Sequence, residues 1–158
     1  MPSAKPRSSS PIELVAARLD EAVASFIHFV RSLPPPAVEP STTDKWGARE
    51  VFIHLVFWHE QYASITAALA AKKRPKLSSG TLRESNRRAV EADLATPVEE
   101  LIARWTKANR RLAKLAHQPG AADLRIPLSE KSKAWPLPVL IRLAAGHIEK
   151  HQKKLTLR

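Results

Sequence analysis

The sequence predicts an all-α protein, a four-helix bundle with long connections between helices one and two and between helices three and four. Three observations carry that prediction. Thirteen prolines fall so as to leave four long proline-free stretches, at 12–33, 41–74, 98–118 and 139–158. Proline is costly inside a helix and welcome in its first turn, so such stretches are where helices fit. Only four glycines occur, β-branched runs are short, and each stretch carries apolar residues at the i, i+3, i+4, i+7 spacing of a buried helical stripe.

The first helix is expected at about 11–33, started by Ser10-Pro11-Ile12-Glu13, a capping box with proline at the first helical position. Its stripe includes Leu19, Val23, Phe26 and Val30. The proline-rich 34–43 is long enough for a crossover to the second helix, expected at about 47–72 with Gly47 as its N-cap and Glu50 three residues on. Val51, Leu55, Trp58, Tyr62 and Ile65 form its stripe. A shorter helical piece, about 81–94, precedes the third helix, about 97–117, which Thr96-Pro97-Val98-Glu99 would open as a second capping box. After a second long connection, 118–136, the last helix is expected at about 137–156, with Leu140, Leu143, Ala144, Ile148 and Leu155 on its apolar face. Residues 1–9 read as a disordered basic tail and 10–158 as one domain.

Composition limits the chemistry. With no cysteine there is no disulfide and no protein thiol nucleophile, so any thiol chemistry needs a small molecule to bring the sulfur. The N-terminal stretch lacks the apolar core of a secretory signal, and no run approaches the ~18 apolar residues of a membrane span. A cytoplasmic location without membrane contact is expected. The net charge of +11 raises the case for an anionic partner. The basic residues, however, lie along helical faces and in one run at 72–88, few aromatics interleave with them, and no reader module is apparent. The charge reads as a solvated surface, and nucleic acid is not expected as a partner.

The histidines are the candidate chemistry. His147 and His151 differ by about 40° around a helix, so they stack on one face, the apolar one. Two neutral imidazoles so placed can reach one divalent ion, at roughly 2.0–2.1 Å for zinc. A cationic C-terminal turn, with Lys150, Lys153 and Lys154, would also suit the helix dipole, but the dipole does not explain why both histidines share the apolar side. The run His147-Ile148-Glu149-Lys150-His151 is not the H-E-x-x-H motif, because Glu149 points about 200° away from His147. A pair needs a third ligand, and the second helix offers His54 and His59. They stand about 140° apart, so one helix face can aim only one of them at a shared centre. His54 is preferred, since it precedes Trp58 by one turn and follows Trp46 by two. His28 and His117 read as solvated or locally bonded imidazoles.

Two segments resemble the DinB-like superfamily of four-helix bundles. "KWGAREVFIHLVFWHEQY" is similar to its tryptophan, helix start and histidine-leucine pair, and "AWPLPVLIRLAAGHIEKHQKKL" to its last helix, a tryptophan followed by apolar turns and H-x-x-x-H. The resemblance implies a three-histidine metal site at His54, His147 and His151, with Trp46 and Trp135 as the tryptophans that introduce the two helices. It implies an open coordination position on a divalent metal (zinc, nickel or iron), and a transferase or hydrolase, often with a low-molecular-weight thiol as co-substrate, acting on a small reactive molecule. Many such proteins are homodimers. His59, Glu60, Tyr62, Asn86 and Trp58 are then candidates for outer-shell or substrate-contacting groups. The middle, "LRESNRRAVEADLATPVEELIARWTKANRRL", looks more like the ClbS/DfsB branch, where an asparagine resembling Asn86 opens the segment. Ile148, where that branch usually has an aromatic, and His151 depart from it. That likeness implies the alternative function, a metal-independent binding or protective protein whose bundle holds a small molecule, with Trp46, Trp58, Trp105 and Trp135 as candidate pocket walls.

Overall fold

Helix ends in this chain are set by local hydrogen bonds, and most of the expected devices form. The computed structural model describes residues 9–158. The expected tail lies outside the described residues except for Ser9. Helix α1 spans Pro11–Ser32; the Ser10 hydroxyl accepts from the Glu13 N–H and the Glu13 carboxylate accepts from the Ser10 N–H. Helix α2 spans Ala48–Ala70. The Glu50 carboxylate accepts the Gly47 N–H at 3.0 Å and, with its other oxygen, the Ser41 N–H at 2.5 Å, so one side chain caps the helix and ties down the crossover before it. Helix α3 spans Leu82–Asp93 behind a capping box of Thr81 and Glu84. Helices α4 and α5 span Val98–Ala116 and Leu137–Thr156.

Two local expectations are corrected. The Thr96–Glu99 capping box does not form: the Thr96 hydroxyl donates to Asp93 Oδ1 instead, and Glu99 pairs with Arg31 of α1. Pro97, the residue that flanks the helix start, offers no side-chain cap. Helix α2 also stops short of 72. Lys72 takes a left-handed conformation (φ 57°), which lets the Lys73 N–H reach the Ala68 carbonyl and the Lys72 N–H the Leu69 carbonyl. That pair of bonds is a Schellman ending.

Helix α1 lies along α5 and α2 along α4; α1 also meets α4, and α2 meets α5, so the four long helices close into the expected bundle. Short α3 packs against α2. The 118–136 connection holds a single 3-10 turn, Ala121–Asp123, and a two-stranded antiparallel ribbon, β1 (Arg125–Ile126) with β2 (Trp135–Pro136). Among the described residues no helix is long and apolar enough to cross a membrane.

The core is aromatic at its centre. Phe26, Phe52 and Trp105 sit with ring centroids 5.7–6.2 Å apart, in the range where offset or edge contacts add to burial. Helix α2 is buried almost all round, because α3, α4, α5 and the crossover cover different sides of it. Arg49 belongs to that burial: its guanidinium donates to the Leu94, Val38 and Thr96 carbonyls, joining α2 to the crossover and to the α3–α4 turn. Leu143, expected on the apolar face of the last helix, is 44% exposed, since the face turned to the bundle is carried by Leu140, Ile141, Ala144, Ala145 and Ile148.

Candidate metal centre

Helix α2 brings one imidazole and helix α5 two to the seam where these helices meet. His54 Nε2 lies 3.3 Å from His147 Nε2, and His151 Nε2 lies 3.0 Å from the same atom. Ligand atoms of all three rings fall within 4.8 Å of one another. The rings meet edge to face, with centroids 4.6–5.4 Å apart. Three imidazoles on one tetrahedral zinc would hold their nitrogens about 3.3–3.4 Å apart, given ligand distances of about 2.0–2.1 Å. Two of the three nitrogen pairs stand near that spacing and the third lies within 4.8 Å, so the donor set suits a divalent cation. Hydrogen bonding explains the cluster less well, because a single ring nitrogen carries either one proton or one lone pair for its two neighbours.

All three imidazoles are held neutral. Burial, then the charges that His147 and His151 would carry, push the His54 pKa down to about 3, and the Asn86 side chain opposes the shift. Burial, then His147, Lys154 and Lys150, push His151 down to about 4. Burial and Lys150 lower His147 as well. Neutral imidazole is the form that binds metal.

Trp46, just before α2, lies 5.4 Å from the His54 ring, centroid to centroid, and its carbonyl accepts from Arg158. One turn beyond His54, the Trp58 indole N–H donates to Asn86 Oδ1 at 2.5 Å. Tyr62 stacks on Trp58, and burial pushes its phenol up to about 12. Trp58, Tyr62 and Asn86 thus form one contiguous group that begins one turn beyond His54.

His59 and Glu60 are not part of this group. His59, 1% exposed, turns the other way and hydrogen-bonds Asn109 Oδ1 at 3.1 Å, while the Asn109 amide donates to Asp20. Burial pushes His59 down to about 4, against the pull of Asn109. Glu60 pairs with Arg104, which also holds Asp93. As outer-shell candidates both are therefore misplaced, for the reason that already separates His54 from His59: they leave α2 toward α4. Glu149 pairs with Arg18 across the α1–α5 surface, away from any role as base. Trp105 lies in the central core against Phe26 and Phe52, away from this site, and Trp135 carries Lys133 over one face of its ring. His28 is exposed and His117 Nδ1 meets the Ala113 carbonyl, as expected for local histidines. The sequence reading missed Arg49 and Asn109; each is a polar residue in an amphipathic helix, and periodicity gives no sign of which carbonyl or amide it will meet.

A helical bundle with three imidazoles converging from its second and last long helices defines the chain as a DinB-like helical protein. More specifically, it belongs to the family of the mycothiol maleylpyruvate isomerase N-terminal domain, whose model matches residues 17–145. That match includes His54 and ends before His147. Among solved structures, the crystal structure of the mycothiol-dependent maleylpyruvate isomerase is similar, with a TM-score of 0.73 and 11% sequence identity, over 92% of this chain and 61% of that one. The likeness shows the fold, and the chain spans about 61% of that protein's length. No curated protein matches the sequence.

Proposed function

We propose that this chain is a metal-dependent enzyme that uses a low-molecular-weight thiol as co-substrate to transform a small reactive molecule. The single observation that carries the reading is the approach of three imidazole Nε2 atoms at the α2–α5 seam. His54, His147 and His151 would hold the cation. A divalent ion on three imidazoles keeps a coordination position open, where it acidifies a thiol or water at neutral pH. The chain's own residues would supply the rest. Trp46 and Trp58 would border the open side, and the cationic Lys150 and Lys154 would favour an anionic thiolate over its neutral acid. The absence of cysteine fits a borrowed sulfur, and mycothiol, used by the similar isomerase, is the first thiol to try.

A second reading, a metal-independent binding protein of the ClbS/DfsB kind, has the support of Asn86, which accepts from the Trp58 indole one turn beyond His54. Protein purified without a histidine tag separates the two. Near-stoichiometric zinc, nickel or iron, and turnover of electrophilic substrates only when a thiol is added, are expected. Protein that takes up none of these metals yet binds a small apolar ligand would favour the second reading.

A further inference from the structure

The oxygen of Asn86 has a lone pair left over, and the outer nitrogen of His54 lacks a partner. An indole N–H can only donate, so the Asn86 atom 2.5 Å from Trp58 Nε1 must be the carboxamide oxygen, which fixes the orientation of the amide. A carbonyl oxygen accepts two hydrogen bonds, and Trp58 uses one. His54 Nε2 is already turned to His147 Nε2, so Nδ1 is the nitrogen left for a partner outside the cluster. That Nδ1 is buried and makes no hydrogen bond in this structure, although buried polar atoms as a rule find partners. Trp58 follows His54 by one turn of α2, so the Asn86 amide that it holds lies on the same face of that helix as the His54 ring.

We infer that Asn86 is the positioning residue of the centre: its oxygen, held by the Trp58 indole, accepts a hydrogen bond from the His54 Nδ1–H and so keeps the Nε2 lone pair of His54 directed at His147 and His151. An imidazole with its proton on Nδ1 can ligate through Nε2, and one with its proton on Nε2 cannot. The three residues come from two elements, Trp58 and His54 one turn apart on α2 and Asn86 on α3. Short α3 thereby acquires a role at a site to which it contributes no ligand. This inference rests on the proposed metal site for its consequence, but the position of the proton on His54 is a property of the metal-free protein.

The test is long-range proton–nitrogen NMR of metal-free, histidine-labelled protein near neutral pH, with the His54 signals assigned from His54→Gln, followed by zinc affinity from chelator competition. Wild type is expected to carry the His54 proton on Nδ1. Asn86→Ala should lose that preference and bind zinc about 10–100-fold more weakly. Asn86→Asp, whose carboxylate still accepts, should restore both. Trp58→Phe, which removes the donor that orients the amide, should weaken the preference partway and serves if Asn86→Ala does not fold. A proton on Nε2 in wild type, or an unchanged Nδ1 proton in Asn86→Ala, overturns the inference whether or not zinc binds. If the Nδ1 proton depends on Asn86 but wild type takes up no divalent metal, the metal reading fails and the role of Asn86 in fixing His54 stands.

Discussion

His54 and His147 stand 93 positions apart in the chain, yet their Nε2 atoms lie 3.3 Å from one another at the α2–α5 seam. His151, one turn after His147, completes the group. Neither helix alone assembles it, so removing any one ring should be felt in the same measurement.

Alanine at His54, His147 or His151 is expected to weaken zinc binding by more than about 100-fold, beyond the 10–100-fold usual for outer-shell partners. Glu149→Ala should leave zinc affinity unchanged, because Glu149 serves a half-exposed, solvent-screened pair with Arg18 on the α1–α5 surface. Competition against a chromophoric chelator measures both. Equal losses in Glu149→Ala and His147→Ala would point to general disruption of α5 and not to ligation.

Acid should unfold the metal-free protein partly through His59. Its pKa lies at about 4 in the folded protein, below the ordinary value of 6.5, so the folded state binds fewer protons than the unfolded one between those values. The stability this neutral imidazole contributes is complete above about pH 6.5 and is lost as pH falls toward 4, with a slope of up to about 1.4 kcal/mol per pH unit for one proton. Urea unfolding from pH 7 to 4, with chelator present, should show this slope reduced in His59→Gln. A slope identical to wild type would mean that His59 titrates normally.

Arg49→Met should destabilise the protein by about 3 kcal/mol, since three carbonyls from two connections lose a charged donor. Chemical denaturation reads this directly. A change below about 0.5 kcal/mol would show that water replaces the guanidinium at little cost.

Trp105→Ala is expected to cost about 3–5 kcal/mol, as large-to-small changes in a packed core do. Trp105→Phe should cost much less than half of that: it keeps ring contact with Phe26 and Phe52 and removes an indole N–H that is buried without a partner. Equal losses for the two variants would locate the energy in the indole's second ring and not in filling the centre.

Much of the helical layout could be read from residues a few positions apart. Ser10 with Glu13, and Glu50 behind Gly47, act over three residues, and the observed starts of α1 and α2 follow them. Thr96 failed as a cap because Asp93, also three residues away, competes for its hydroxyl, and nothing in the spacing says which bond wins. His147 and His151 were readable as a pair for the same reason that capping boxes are: a helix fixes the relation of i to i+4.

Local spacing thus set the starts of α1 and α2, put two imidazoles on the inner side of the last helix, and barred His54 and His59 from both facing them. The tryptophan spacing favoured His54, but it is the tertiary packing that brings His54 and not His59 to the pair. Burial gives no preference, since His54 and His59 are 5% and 1% exposed on a helix covered on nearly every side. The choice follows from which neighbour covers which side: α5 meets the face that carries His54, while α4 brings Asn109 to His59. Hydrogen-bond geometry within a helix reaches only a few residues along the chain, whereas the packing of α2 against α4 and α5 depends on the shapes of side chains far apart in sequence.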